Sequence, residues 1–335
     1  MRVLAIEHLC AGALLGQVFE ESLVRQGRAM LSAVLTDLRA ADHEVVTILD
    51  GRLELTIGNV EVHTVYPADE PTVIFDRMVG EVDTTLVIAP ETGDVLRDWM
   101  LRLERRNAPS LNSSSAAVLL CGDKLATSRH LTAAGVPTPM TVAADGWHTL
   151  GDQERYVIKP RQGAGCEHTF VCLRQDVEPL LAAGGDPRCT IVQPWVAGLA
   201  ASVSAIVGRD GPRLLPAGEQ TVTVDGQKMN YRGGRLPLEA ALSRRAHDLA
   251  ARAVAAVPGL AGWVGVDLVL GDEPAHDAVI EINTRMTLSY IGLRQLLEPG
   301  GNLAQALLDP AAPLSFAPGT VRFDAMGRCQ LESCA

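Results

Sequence analysis

Apolar and polar positions along the first 110 residues follow two alternating periods. "RVLAIEHL" (2–9), "EVVTILD" (44–50) and "TTLVIAP" (84–90) are near-continuous apolar runs of strand length. Between the first two, Leu23, Met30, Val34 and Leu38, with neighbours Val24, Leu31 and Leu35, recur at helical spacing. "GDVLRDWMLRLERR" (93–106), after the third, is again amphipathic. Buried-type strands alternating with helices predict a parallel sheet over 1–110. Residues 110–139 read as two short helices, stopped where Gly135–Val136–Pro137 leads into extended chain. A strand-rich middle follows: "RYVIKP", "EHTFVCL", "CTIVQPWV" and "AASVSAIVG", with a helix around 174–183. After "RLLPAGEQTVTV", the polar "DGQKMNYRGG" reads as a loop and 238–257 as an Ala-rich helix. "GWVGVDLVL" and "AVIEINTRM" pair as an antiparallel hairpin across "GDEPAHD". The tail from about 310 has no legible pattern. The chain is thus α/β at its start and α+β afterwards.

One strand departs from core patterning. In "VIEINTR" (279–285), strict alternation puts Glu281, Asn283 and Arg285 on the face of Val279. If this strand pairs with the one carrying Asp267, three oxygen-bearing side chains converge at one end of the ribbon. Hard oxygen donors suit magnesium, which keeps some water and takes the rest of its shell from phosphate. Asn283 supplies oxygen without a third negative charge. Each residue alone is equally a solvent-facing position on an edge hairpin; the three together point to a metal site.

Bulk properties narrow the function without naming it. The 335 residues are 47% hydrophobic, enough for two or three cores. A net charge of −11 with no Lys/Arg patch argues against nucleic-acid or anionic-membrane binding, leaving small-molecule partners, with a homodimer allowed. No run approaches ~20 apolar residues, and "MRVLAIEHLC" reads as a strand rather than a signal peptide. Cysteines at 10, 121, 166, 172, 189, 329 and 334, without CxxC spacing, read as reduced thiols of a cytoplasmic protein.

Three further stretches carry chemistry. In "YVIKPRQGAGCEH" a strand delivers Lys159, and Gly163–Ala164–Gly165 permits a tight loop whose amides could cap phosphate oxygens. It is neither a dinucleotide fingerprint nor a P-loop, because a strand follows and no GKS/GKT does. In "CGDKLATSRHLTAAGVPTP", Lys124 starts a helix capped by Asp123; alone it reads as a surface lysine. "TIVQPWVAGLAASVS" could hold a flat base on backbone groups, with Trp195 and Val196 as apolar contacts, or be an ordinary core strand. Cys166 beside the loop is incidental, since no Cys–His signature accompanies it.

In this order the stretches resemble the ATP-grasp carboxylate–amine ligases over about residues 120–290. The similarity lies in the lysine helix "DKLATSRHLTAAGVPTP", the glycine loop "VIKPRQGAG", the hinge "IVQPWVAG" and the metal strands "GVDLVL…VIEINTR". The resemblance implies an N-terminal parallel α/β domain (1–110), a small central lid (111–195) and a C-terminal nucleotide- and metal-binding domain (196–335). It implies ATP on Lys124, Lys159, Gly163, Gly165 and the hinge Gln193, Pro194, Trp195 and Val196. It further implies two Mg²⁺ ions, with Mn²⁺ as an alternative, on Asp267, Glu281 and Asn283, and Arg285 on the transferred phosphate. Gln193 stands where an acid is common, and the usual ribose glutamate is replaced within "LAAS", leaving Ser202 as a guess. "GRAML" (27–31), "PWVAGLAASVS" and "INTRMTLSYIGL" resemble the tyramine–glutamate ligases of methanofuran-type cofactor biosynthesis, although Gly27 and Met30 could equally just pack a helix. That likeness implies joining the γ-carboxylate of glutamate to tyramine or tyrosine. Substrate contacts are then Glu7, Tyr231, Arg232, Ser289 and Tyr290 beside Arg285. Glu7 is favoured by its place at a strand's carboxyl end, and His8 is given no catalytic role. Alternatives are a D-alanine-type, dipeptide or pyrrolysine-pathway-like ligase, or a non-catalytic nucleotide-binding regulator.

Overall fold

The computed structural model describes residues 1–18, 21–163, 165–184 and 186–332, with side chains in the first helix from residue 24 onward. The side chain of Leu23, Ala164 and Cys334 therefore lie outside the described residues. The first unit runs β1 (Arg2–Glu7), α1 (Glu21–Ala40), β2 (Glu44–Asp50), β3 (Val60–Val65), α2 (Pro71–Val79), β4 (Thr84–Ile88) and α3 (Val95–Glu104). The strands form a parallel sheet in the order β3-β2-β1-β4. Val24, Leu31, Val34, Leu35 and Leu38 form the stripe of α1 that packs onto it, each about 1.5–3 kcal/mol of apolar burial. Chain order reverses between β1 and β4, so the carboxyl ends of these two strands flank the crevice where open α/β sheets take ligands. Sequence pattern did not foresee β3 or α2. β3 is a half-exposed edge strand, so it lacks the buried run that marks its neighbours.

Two helices, α4 (Ser115–Gly122) and α5 (Lys124–Ala133), follow as anticipated. Ala117, Cys121 and Leu131 on them pack in the core that also holds the late strands. The middle segment comprises β5 (Val142–Ala143), β6 (Tyr156–Pro160), β7 (Phe170–Cys172), α6 (Arg174–Ala183) and β8 (Thr190–Pro194). It has its own small core of Trp147, Tyr156, Ile158, Cys172, Val177 and Val192.

The remainder contains β9 (Leu199–Gly208), β10 (Gly211–Leu214), β11 (Gly218–Asp225), β12 (Lys228–Leu236), α7 (Ala240–Ala256), β13 (Gly262–Leu270) and β14 (Ala278–Asn283). It closes with α8 (Ser289–Gln295), α9 (Leu303–Leu308), β15 (Thr320–Asp324) and β16 (Cys329–Glu332). "DGQKMNYRGG" is not a loop: all but its first three residues belong to β12, paired with β11 on one side and with β7 and β15 on the other. Neighbours on both sides satisfy the backbone of a polar, glycine-containing strand that propensity alone disfavours. The tail likewise forms the β15–β16 hairpin. The main sheet path, β14-β13-β9-β11-β12-β7-β6-β8-β5, joins the middle segment to the last one.

A buried polar clamp fastens the first unit to the last. Tyr290 on α8 donates to Asp37 Oδ2 of α1 at 2.7 Å, and Arg294 Nη2 donates to Asp37 Oδ1 at 2.6 Å. Asn302 Nδ2 donates to the Asp37 carbonyl at 2.7 Å. Among the described residues no helix is long and apolar enough to cross a membrane.

Candidate active site

β13 and β14 pair Gly265 with Asn283, Asp267 with Glu281, but Leu268 with Val279. Ile280 is thus an extra residue, a β-bulge, and strict alternation fails at it. Val279 faces the core with Ile282, not the face of Glu281, while Ile280 and Glu281 both line the cavity. The strand also ends at Asn283, so Arg285 is not a strand residue. Asp267 is held from both sides: Gln220 Nε2 donates to Oδ1 at 2.8 Å and Asn283 Nδ2 to Oδ2 at 3.0 Å. Burial and the facing Glu281 push the Asp267 carboxyl above the usual carboxylate range. Burial also penalises charge on Glu281, but Lys124 and Lys159 outweigh it and hold that carboxyl low. Two carboxylates so placed do not both ionise readily without further positive charge.

Lys124 and Lys159 reach this pair from different elements. Asp123 caps α5 by accepting from Leu125 N and Ala126 N, and it also accepts from Arg161 Nε at 2.8 Å. That anchored turn aims Lys124 Nζ at Gly163 O, 2.6 Å, and Glu281 Oε2, 3.3 Å. Lys159 on β6 is 6% exposed. Burial and the neighbouring Lys124 lower its ammonium to about 8 against the opposing pull of Glu281. Gly163 and Gly165 take φ of 154° and 66°, conformations that favour glycine and turn the loop over the lysines. A cavity of about 430 Å³ is lined by Lys124, Lys159, Gly163, Gly165, Gln220, Asp267 and Glu281, and by Gln193, Pro194, Trp195 and Val196. Leu199, Leu268, Val269 and Ile280 supply an apolar part of its lining. The Gln193 amide is turned away to Thr141 Oγ1, 2.6 Å, which leaves backbone groups for a ligand there. Ser202 stands opposite Asp267 in the sheet register.

The donor set suits magnesium. Among the described residues no group of three or more His, Cys, Asp or Glu forms a complete cage. Two facing carboxylates and one amide leave positions for water and phosphate, as Mg²⁺ prefers.

Of the substrate candidates, Glu7 lies at the carboxyl end of β1, 4% exposed, with Oε2 accepting from Cys10 N at 2.9 Å. Burial raises its carboxyl above the usual range. His8 accepts from the Trp99 indole through Nδ1 at 3.3 Å, a packing role. Burial and the nearby Asp267 push the Tyr231 phenol upward, and its side chain packs against the core that holds α1 and α8. Three candidates are corrected. Arg232 is turned to Asp225 Oδ2, 2.9 Å, and Thr223 on the exposed side of the β11–β12 hairpin. The Ser289 hydroxyl is buried and shared with Ser204 and Thr287. Tyr290 is fully buried in the Asp37 clamp.

Two residues escaped the sequence reading. Gln220 sits in a strand of ordinary appearance, and only pairing across β9 brings it to Asp267. Glu91, just beyond β4, accepts from Thr284 N through Oε1 at 3.0 Å and from Arg285 Nε through Oε2 at 2.7 Å. The ion pair is buried, and its Arg285 charge is sustained against burial by Glu91. Glu91 does lie at the switch-point crevice, the one signal that could have singled it out.

Comparison with known proteins agrees with this geometry. Residues 121–289 match an ATP-grasp domain, and residues 43–118 match a pre ATP-grasp 3 domain. A tyramine–L-glutamate ligase from Methanocaldococcus fervens is 29% identical over 232 residues, 69% of this chain and 67% of that protein. A D-alanine–D-alanine ligase from Desulforudis audaxviator is 29% identical over 243 residues, 65% of this chain and 76% of that protein. The crystal structure of an ATP-grasp superfamily protein from Archaeoglobus fulgidus shares the fold with a TM-score of 0.70 at 23% identity, covering 96% of this chain and 92% of that one.

Proposed function

Taking as premise that the chain belongs to the ATP-grasp family, we propose that it is an ATP-dependent carboxylate–amine ligase acting on glutamate and an aromatic amine, tyramine or tyrosine. The observation that carries the reading is one cavity bounded by a tryptophan-lined apolar end and a buried lysine–carboxylate end. The apolar end takes the base, with the backbone of Gln193–Val196 beside it. Lys124, Lys159 and the glycine loop neutralise the phosphate chain, and a desolvated site strengthens each of these contacts. Asp267, Glu281 and Asn283 would hold two Mg²⁺ ions, which would supply positive charge against the transferred phosphoryl group.

A carboxylate is a poor electrophile. It attacks the γ-phosphate of ATP, giving an acyl phosphate and ADP; the amine then attacks the acyl carbon and inorganic phosphate leaves. The protein's part is in-line positioning and charge neutralisation, with Arg285 on the phosphoryl group. Glu7 lies at the switch-point crevice, suited to an ammonium group of the amino-acid substrate, and Tyr231 borders the phosphoryl end. The glutamate and tyramine assignment draws on the named relative, and a D-alanine-type dipeptide ligase is the second reading, drawn from the other. ADP release is measured with Mg²⁺ and pairs of acid and amine. Release that needs both glutamate and tyramine or tyrosine supports the first reading. Release with alanine alone selects the second, and none with any pair removes the ligase assignment.

A further inference from the structure

We propose that Glu91 is a positioning residue that sets the orientation of Arg285 toward the terminal phosphate, and does so from the unit that forms the substrate crevice. This rests on the nucleotide reading above. Glu91 uses both carboxylate oxygens on consecutive residues: the Thr284 amide fixes the backbone after β14, and Arg285 Nε fixes the guanidinium plane. Arg285 Nη1 donates to the Met286 carbonyl at 3.3 Å, and no hydrogen bond to a described residue engages Nη2. The fork is therefore held by its inner edge, with the outer Nη2 left as a donor for an anion.

The anchor itself has little room. Glu91 is 9% exposed, and Gly122 lies so close that an added Cβ there would be 3.3 Å from the Glu91 Cβ. Two residues on, Gly93 N donates to Gln162 Oε1 beside the glycine loop at 3.3 Å. The segment after β4 thus touches the arginine and the phosphate-covering loop, while its own strand end opens on the crevice beside Glu7.

The test is calorimetric titration of Mg-ADP and Mg-AMP-PNP into the full chain, as wild type, Glu91→Gln, Glu91→Asp, Arg285→Ala and Glu91→Gln/Arg285→Ala. Wild type prefers the triphosphate analogue. Glu91→Gln lowers that preference about tenfold, Arg285→Ala by as much, and the double variant no further, since both act through one group. ADP affinity stays within about twofold throughout, which a general loss of structure would not allow. Glu91→Asp keeps the charge and gives an intermediate preference, and it serves the same comparison if Glu91→Gln does not fold. Independent, additive losses in the double variant overturn the positioning role, as does an unchanged preference in Glu91→Gln and Glu91→Asp. Equal affinity of wild type for both nucleotides also overturns it, because Arg285 then meets no terminal phosphate. Failure of wild type to bind either nucleotide overturns the nucleotide reading itself, and the role of Glu91 falls with it.

Discussion

Replacing Gly27 by Ala tests whether α1 is shaped around the carboxylate at the end of β1. A Cβ on Gly27 would lie 2.4 Å from Glu7 Cδ, 2.5 Å from Oε2 and 2.7 Å from Oε1. That is roughly 1 Å inside ordinary van der Waals contact. In an unencumbered helix the change would be favourable by about 1 kcal/mol. Here Glu7 has nowhere to go: it is 4% exposed, and Oε2 holds the Cys10 amide at 2.9 Å. Overpacking costs about 1–3 kcal/mol, and losing the charge-assisted hydrogen bond about 1.5–3 kcal/mol. Gly27→Ala should therefore be net destabilising by about 2–4 kcal/mol, read as a lower urea midpoint. The sign must invert when the obstacle is removed. In a Glu7→Ala background, Gly27→Ala should stabilise by about 1 kcal/mol. A raised midpoint for Gly27→Ala alone, or the same loss in both backgrounds, would refute the steric account.

Glu281→Gln should cut ADP release at least about 100-fold with the far-UV spectrum and melting unchanged; near-normal turnover would remove the metal assignment. Lys159, with its ammonium lowered to about 8, predicts nucleotide affinity that is flat below that pH and falls above it, by at most tenfold per unit. The sign for folding is opposite: between about 8 and 10.4 the unfolded lysine keeps a proton that the folded one has lost, so this group makes ligand-free stability rise with pH. Titrations of Lys159→Met should lack both slopes, and their persistence would assign them elsewhere. Tyr290→Phe should cost about 1.5–3 kcal/mol of stability through the Asp37 clamp and leave substrate KM unchanged; a raised KM with unaltered stability would restore Tyr290 as a substrate contact.

Much of the cavity lining was legible because it consists of local motifs. Lys124 follows a cap, Lys159 lies on a strand, and each glycine or tryptophan sits within a few residues of its motif's other members. The pairing of Glu91 with Arg285 was not, because that contact is long-range. Glu91 and Arg285 are separated by 194 positions, and nothing around "APETG" announces the pairing. Arg232, Ser289 and Tyr290 were misplaced for a related reason. Ser289 and Tyr290 follow a metal strand in sequence and Arg232 lies in a stretch that reads as a polar loop, but core packing of α8 turns Tyr290 to α1 and hairpin pairing turns Arg232 outward. In the fold, buried strands and amphipathic helices were readable. The edge strand β3 and the polar strand β12 were not, since their stability comes from partners rather than from their own pattern.

The bulge at Ile280 means that β14 is written in two reading frames. Up to Val279 every second residue belongs to the core; from Glu281 onward the opposite parity does, and Ile280 is the inserted letter that shifts one into the other. A strand in a single frame must alternate, so it could not show a hydrocarbon and a carboxylate side by side to the same cavity. This one does, setting the Ile280 hydrocarbon directly beside the Glu281 carboxylate in the cavity lining. Deleting Ile280 would restore one frame and leave Asp267 opposite Glu281. The two halves of the ligand's environment would then no longer be adjacent on a single strand.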